Sequence, residues 1–251
     1  LGDPQQLSQP SRGSHPKGVG HSALEHILGE HETIPPELGV FLGSTFRMHP
    51  NVCAFVSEVA YEDRLHSEPG LERQWVTSAY PELAGAGLRF IPINHTGNRI
   101  ASSEESVQVR ATIDALLEGS WTDRTGETRP LTLDDVLIVA PYNAHVARLQ
   151  AELHPGARVG TVDKFQGQEA PVAIYSMATS SAADLTRTIE FLYDLHRANV
   201  AVSRARALSV LVFSRALLHV HCHNPEQMRL VNALCRYVEL AAADRVVAGS
   251  R

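Results

Sequence analysis

The chain has 251 residues, of which 43% are hydrophobic and 20% are charged, and its formal net charge at pH 7 is −6. This composition excludes a disordered chain, a coiled coil and a strongly basic nucleic-acid coat protein. No apolar run reaches the roughly 18 residues of a membrane span, and the start of the chain lacks the basic and apolar parts of a signal peptide. The three cysteines predict no disulfide framework. We therefore expect a cytoplasmic chain with one large α/β domain or two small ones.

The hydrophobic pattern predicts strands that alternate with helices after residue 39, preceded by loop with one short helix at Ala23–Leu28. The predicted strands span residues 40–46, 88–93, 136–140, 158–162, 172–177 and 208–213. The predicted helices span residues 51–61, the stretch between a capping box at Ser102 and a stop at Gly119, residues 146–153 and residues 226–240. This alternation favours a mostly parallel sheet covered on both faces, with functional residues where its strands end.

Four segments beside predicted strand ends carry uncommon combinations of residues. They are GDPQQL at 2–7, TFRMHP at 45–50, GTVDKFQGQE at 160–169 and ANVAVSRAR at 198–206. Taken singly, each segment also fits a structural explanation: a turn at Asp-Pro, a surface arginine before a helix, or a loop glycine.

Taken together, the segments supply groups that suit a nucleotide. Phe46 and Arg47 leave a strand end together, and this pairing suits a ring stacked beside a phosphate. Gly167 allows a close backbone approach, and Glu169 supplies an acceptor for a sugar hydroxyl.

The last segment contains two arginines two positions apart. If residues 198–206 form a helix, Arg204 and Arg206 point in roughly opposite directions. Ala201 and Ala205 would form the small face of this helix that packs on the sheet. We therefore expect Arg204 to reach the cleft and Arg206 to lie at the surface.

The sequence lacks two motifs that hold phosphates and Mg²⁺. Only Lys17 and Lys164 are lysines, and neither follows a glycine, so no GxxxxGK[ST] loop is present. None of the ten aspartates is followed directly by glutamate. Since the first residue is leucine, we expect a processed N-terminus or a piece of a longer protein.

The four segments, in this order, resemble motifs III, IV, V and VI of superfamily 1 helicases, in the branch that includes the nonsense-mediated-decay helicase. The similarity extends from Leu1 to about Ala216 and is greatest to bacterial proteins in which a RecB-like nuclease precedes the helicase. The resemblance implies a RecA-like α/β fold of the P-loop NTPase type, with a mostly parallel sheet and helices on both faces. Motifs I and II are absent, which implies the second RecA-like domain with a short tail of the first.

The resemblance also implies a domain organisation. Residues 1–39 would be the tail of the first RecA-like domain, with motif III and a linker. Residues 40–223 would be the second RecA-like domain, and residues 224–251 a C-terminal helix and tail.

The resemblance implies nucleotide-cleft roles for six residues. Gln6 is similar to the glutamine that senses the γ-phosphate. Arg47 and Arg204 are similar to the arginines that contact this phosphate, with Arg204 as the arginine finger. The remaining three are an adenine-stacking aromatic residue, a glycine near the γ-phosphate and a ribose-binding glutamate, which correspond to Phe46, Gly167 and Glu169.

Three further residues match positions that touch the backbone of a single-stranded nucleic acid: Thr161, Pro141 and Tyr142. The implied cofactors are ATP and Mg²⁺, bound between this domain and the first RecA-like domain of the same protein. The implied partners are single-stranded DNA or RNA and a nuclease domain upstream of Leu1.

The resulting hypothesis is an ATP-dependent helicase in the intact protein, with this chain inactive when alone. An alternative is a non-catalytic nucleic-acid or protein-interaction module on the same fold. The presence of both Arg47 and Arg204 favours the motor, because a binding module needs neither.

A third hypothesis is a metal-dependent hydrolase built on the HVHCH run at 219–223. Adjacent residues cannot all converge on one ion, so we expect no metal site and interpret the run as a surface helix end. Cys53 and Cys235 are interpreted as small core residues. Asp134 and Asp135 are interpreted as the close of a turn.

Overall fold

The computed structural model describes residues 2–6, 22–29 and 31–248, with side chains as far as residue 244. The strands are β1 (Ser44–Thr45), β2 (His66–Ser67), β3 (Trp75–Thr77), β4 (Gly87–Pro92), β5 (Ser120–Thr122), β6 (Thr128–Pro130), β7 (Val136–Val139), β8 (Arg158–Gly160), β9 (Ala170–Ser176) and β10 (Ala205–Phe213). The α-helices are α1 (Ala23–Leu28), α2 (Pro50–Ala60), α3 (Ser103–Leu117), α4 (Asn143–Glu152), α5 (Ile189–Leu192), α6 (Leu195–Ser203) and α7 (Pro225–Ala248).

Five strands form a central parallel sheet in the order β4-β10-β9-β7-β8. The apolar runs of β7 and β9 are buried along their whole length, as expected of strands covered on both faces. The prediction of an α/β fold with a mostly parallel sheet is confirmed. The other strands form a parallel pair, β1-β2, and a small antiparallel sheet, β3-β5-β6.

Helices cover the central sheet on both faces and form a hydrophobic core with each face. Alternate residues of β10 pack into one core or the other. Leu211 and Phe213 pack on the side where α2, α6 and α7 contribute buried residues. Val210 and Val212 pack on the other side with α3 and α4. This alternation follows from the two-residue period of a strand.

The C-terminal helix α7 is anchored to the sheet by buried polar groups. The Tyr237 hydroxyl donates a hydrogen bond to the Ser209 carbonyl oxygen (2.7 Å). Near the end of α7, Asp244 accepts hydrogen bonds from the Leu88 backbone N–H (2.8 Å) and the Asn51 amide (2.9 Å). The helix is longer than the predicted residues 226–240.

Two predicted elements are wrong in extent. The strand predicted over residues 40–46 is only Ser44–Thr45, and the preceding Val40 and Leu42 are 84% and 71% exposed. The helix predicted over residues 198–206 ends at Ser203. The next residues belong to β10, whose first residue, Ala205, pairs with Ala170 of β9.

The described part of residues 1–39 contains α1 and no strand. Among the described helices, none combines the length and the apolar character that a membrane crossing requires.

Candidate functional site

A cleft of about 870 Å³ brings together four of the predicted nucleotide residues. Gln6 and its neighbours line one side, Phe46 and Arg47 follow β1, and Glu169 precedes β9. Phe46 is 69% exposed, so its ring is accessible to a ligand. The cleft therefore contains an aromatic ring, a guanidinium and a carboxylate close together.

Glu169 is bound by two arginines, one on each carboxylate oxygen. The Arg47 Nε donates to Oε2, and Arg206 donates to Oε1 through both Nε (3.0 Å) and Nη2. Burial would raise the pKa of Glu169, but the hydrogen bonds from Arg206 and Arg47 outweigh it and lower the pKa. The carboxylate is therefore ionised at neutral pH, and the expected placement of Arg206 facing away from the site is wrong.

Arg204 is 1% exposed and is not among the residues that line the cleft, so the expectation that its side chain reaches the cleft is wrong. It follows the last residue of α6, and its guanidinium donates to the carbonyl oxygens of Val200 (3.0 Å) and Gln168 (3.1 Å) and to the Ser203 hydroxyl (3.3 Å). Within the described residues it has no carboxylate partner. Burial, and then the nearby charge of Arg47, lower the pKa of Arg204 to about 10.

Residues 2–6 dock onto α2 and α6 through hydrogen bonds that the sequence did not predict. The Tyr61 hydroxyl donates to Asp3 (2.6 Å), and the Asn199 amide donates to the Gln5 carbonyl oxygen (2.9 Å). The Gln6 amide also donates to Asp3 (2.8 Å). Burial and the Asp3 charge raise the pKa of Tyr61, which keeps its hydroxyl protonated as a donor.

Gly167 lies outside the residues that line the cleft, in the loop before Glu169. Its φ of +79° is in the left-handed region, and no atom lies within 4 Å of the position that a Cβ would occupy. The backbone conformation therefore accounts for glycine here, and the open side leaves room for a ligand.

The predicted nucleic-acid residues lie at the carboxyl ends of the adjacent strands β7 and β8. Pro141 and Tyr142 follow β7, and Thr161 follows β8. Pro141 and Tyr142 are buried, whereas Thr161 is half-buried. The Tyr142 ring packs against Phe191, with 5.5 Å between ring centroids.

The two groups of predicted site residues lie at opposite edges of the sheet. Glu169 and Arg204 immediately precede β9 and β10, and Pro141 and Thr161 are at the carboxyl ends of β7 and β8. Among the predicted site residues, Pro141, Tyr142 and Thr161 thus follow strands of the central sheet, whereas Glu169 and Arg204 precede such strands. Residues 167–169 and Arg204 form the entries to these strands.

A buried polar network near the carboxyl edge was also missed. Glu105 accepts hydrogen bonds from the Ser176 hydroxyl (2.6 Å) and the Ala178 backbone N–H (2.9 Å) and lies 2.9 Å from His95 Nε2. His145 lies 2.7 Å from Ser176, and burial, with Arg148 and His95, lowers its pKa to about 4. The Ser102 cap of α3 was predicted, but the Glu105 side chain turns into this network and does not close a capping box.

The HVHCH run at 219–223 begins at His219, which caps a short 3-10 helix over Arg215–Leu218, and continues as a loop to α7, so it lies at a surface helix end as interpreted. The residues that the structure describes include no group of three or more metal-ligating side chains. Cys53 is buried and Cys235 is partly buried against the same core. Asp135 closes a turn by accepting from the backbone N–H of Thr132 (2.9 Å).

Comparisons with known proteins identify the family. A family model described as an AAA domain matches residues 19–216. DNA-binding protein SMUBP-2 of Rattus norvegicus is 29% identical over 232 residues, which cover 82% of this chain and 21% of that protein. Regulator of nonsense transcripts 1 of Dictyostelium discoideum is 29% identical over 200 residues, which cover 75% of this chain and 14% of that protein.

A protein of Danio rerio whose name calls it a helicase, mov-10-B.1, is 26% identical over 246 residues, which cover 86% of this chain and 24% of that protein. The chain therefore spans less than a quarter of the length of these curated relatives. The family match covers most of the chain, contains the segments at 45–50, 160–169 and 198–206, and agrees with the parallel sheet. The chain belongs to this AAA domain family, has its RecA-like α/β fold, and falls in the nonsense-decay-helicase-like branch of superfamily 1 helicases.

Proposed function

We propose that this chain is the second RecA-like domain of an ATP-dependent superfamily 1 helicase or translocase that moves along single-stranded DNA or RNA. It supplies one wall of the nucleotide cleft and an arginine finger. The first RecA-like domain of the same protein supplies the phosphate-binding loop and the Mg²⁺ ligands. A nuclease domain before Leu1 and a cytoplasmic location belong to the same proposal.

The observation that carries the proposal is the environment of Arg204. A buried guanidinium whose hydrogen-bond acceptors are all neutral is costly, because burial removes its hydration and the nearby carboxylates of Glu169 and Asp3 act on its charge only from a distance. An arriving phosphate would supply the missing negative charge. Such a preorganised, poorly compensated cation suits the stabilisation of charge that develops on a transferring phosphoryl group.

The cleft residues fit ATP in their chemistry. Phe46 presents an exposed ring for a base, Arg47 presents a guanidinium for a phosphate, and Glu169 presents an ionised carboxylate for a sugar hydroxyl. Bound ATP supplies the γ-phosphoryl group whose transfer to water releases the free energy for movement. Arg47 and Arg204 stabilise the negative charge on that group, and Gln6 contacts it.

Mg²⁺ fits less well on this chain alone. The described residues hold no cluster of three carboxylate, histidine or cysteine ligands. We therefore assign the metal ligands to the first RecA-like domain and no step of the reaction to a metal held by this chain.

The residues proposed to bind nucleic acid lie at the carboxyl ends of β7 and β8, on the opposite edge of the sheet from Glu169 and Arg204. Thr161 is accessible there, whereas Pro141 and Tyr142 shape the surface from beneath. This division leaves the nucleotide and the strand at separate sites on one domain, as a translocase needs.

The test compares the full-length protein with this chain alone. We expect the full-length protein to hydrolyse ATP faster when single-stranded DNA or RNA is added. We expect this chain alone to show no turnover above background, because half of the phosphate ligands are missing. Stimulated turnover by the isolated chain, or no turnover by the full-length protein, would contradict the proposal. The second result combined with tight nucleic-acid binding would indicate a non-catalytic binding module.

A further inference from the structure

Arg206 contacts Glu169 from behind the cleft. Its guanidinium donates twice to Oε1 of Glu169, yet Arg206 is absent from the residues that line the cavity. Arg47, on Oε2, does line it. The two arginines thus hold the two oxygens of one carboxylate, and Arg47 is the one that lines the cleft.

The backbone of Arg206 is fixed to the segment that carries Arg47. The Arg206 carbonyl oxygen accepts from the His49 backbone N–H (2.7 Å) and from the Gln74 amide (3.2 Å). The buried Gln74 amide also donates to the Arg47 carbonyl oxygen (2.8 Å). Arg206 is further held over the Trp121 ring, with its guanidinium carbon 5.9 Å from the ring centroid.

Arg206 and Arg204 differ in the charge of the groups to which their guanidinium groups donate. The hydrogen-bond partners of Arg204 are all neutral oxygens, whereas Arg206 is already paired with a carboxylate. If Arg47 moves to a nucleotide phosphate, Glu169 loses the donor on Oε2 but keeps the one on Oε1. Arg206 would then hold the carboxylate in place and ionised, with one oxygen free.

We propose that Arg206 is a positioning residue that keeps Glu169 directed into the cleft while Arg47 binds phosphate, so that the free Glu169 oxygen accepts a hydrogen bond from a sugar hydroxyl. This inference rests on the proposed function. It makes Arg206 a determinant of nucleotide affinity and of sugar recognition, with no contact to the reacting phosphate.

The test measures steady-state ATP hydrolysis by the full-length protein with single-stranded DNA, using Arg206→Gln, Arg206→Lys and Glu169→Gln. We expect Arg206→Gln to raise the KM for ATP about tenfold and to change kcat by less than about threefold, since it removes a charge-assisted hydrogen bond that acts on binding. Wherever the wild type discriminates against 2′-deoxy-ATP or 3′-deoxy-ATP, this discrimination should shrink. Arg206→Lys should restore part of the affinity.

The double variant Glu169→Gln with Arg206→Gln should behave like Glu169→Gln alone, because Arg206 acts through that carboxylate. The matched control is Arg148→Gln, a half-exposed arginine of α4 that pairs with Glu152 and should change neither constant. Three outcomes would each overturn the inference: a fall in kcat at unchanged KM, additive effects of the two substitutions, or no effect of Arg206→Gln. Hydrolysis by the wild type would still support the proposed function in each of these cases. No stimulated hydrolysis by the wild type would overturn both.

Discussion

Arg204 and Arg206 are two positions apart, yet their side chains have opposite electrostatic situations. Arg204 is buried against carbonyl and hydroxyl oxygens, and Arg206 is half-exposed and paired with Glu169. The change from helix to strand between them produces this difference, because it redirects the chain before Arg206. Their roles should therefore separate cleanly in kinetics.

We predict that Arg204→Ala in the full-length protein lowers the rate of ATP hydrolysis by about 10³–10⁵, the range for arginine fingers in related phosphoryl-transfer sites. The loss should appear in kcat, because the guanidinium meets charge that is greatest in the transition state. Arg204→Lys should restore little, since an ammonium cannot reproduce the planar fork. Steady-state rates with single-stranded DNA provide the measurement.

Binding of the single strand serves as the folding control for these variants. It should be nearly unchanged in Arg204→Ala, because the proposed single-strand site lies at the opposite edge of the sheet. Arg148→Ala serves as the unaffected comparison, because Arg148 pairs with Glu152 on α4 and contacts none of the cleft residues. A loss of strand binding that matches the loss of hydrolysis would indicate a damaged fold and would contradict the finger role.

At the scale of elements, the sequence predicts the buried strands well and the chain near the cleft poorly. The apolar runs of β7 and β9 allow only strands buried on both faces. The run at 40–46 has the same appearance but is exposed for most of its length. Only Ser44–Thr45 pairs, with His66–Ser67. Hydrophobicity alone could not distinguish a core strand from an exposed apolar segment.

The residues of the candidate site were predictable where a sequence motif specifies them. They were not predictable where contacts between distant parts of the chain determine which side chains pair. Motif spacing grouped Phe46, Arg47 and Glu169, and these residues do lie on one cleft. The pairing of Arg206 with Glu169 joins residues 37 positions apart and depends on the start of β10 at Ala205. The only β-branched residues of β10 are Val210 and Val212, so the sequence offered little signal for a strand start at Ala205.

The contact between α7 and the start of β4 gives a stability prediction. Gly87 has a φ of +104°, and an added Cβ would lie 2.1 Å from Asp244 Oδ2 and 2.9 Å from the Asn51 Cβ. We expect Gly87→Ala to lower the free energy of unfolding by roughly 3 kcal/mol, from backbone strain plus overpacking. Urea unfolding followed by circular dichroism measures this.

Gly126→Ala is the matched control for backbone strain alone. Its φ is +91°, and nothing lies within 4 Å of the added Cβ. It should cost about 1–2 kcal/mol. Equal losses in the two variants would show that Asp244 moves away freely and that the end of α7 is not locked to the sheet.

At the scale of the whole molecule, β9 joins the two functional edges. Glu169 immediately precedes it, and the loop after it is held by the buried Glu105 through Ser176 and Ala178. A fully buried strand of a close-packed sheet deforms little. Under the proposed function, the nucleotide cleft and the single-strand surface should therefore move as one body relative to a first RecA-like domain.

The family match ends at residue 216, but the packed core does not. Tyr237 of α7 is 1% exposed and contacts Phe55 edge-on, with 5.2 Å between ring centroids. Burial of one such side chain contributes about 2 kcal/mol, against a total stability of about 5–15 kcal/mol for a domain. We predict that a chain cut after residue 216 loses its cooperative thermal transition and binds a hydrophobic dye, as measured by calorimetry and fluorescence.

A single proteolytic cut in the loop at 219–224 should have the opposite outcome. The two fragments should stay together through size-exclusion chromatography and keep the transition, because α7 is held by packing and hydrogen bonds and not by its covalent link. Separation of the fragments without denaturant would contradict this. If the fragments stay together, α7 binds the rest of the domain without a covalent link. A synthetic peptide of residues 225–248 should therefore restore folding to the chain cut after residue 216.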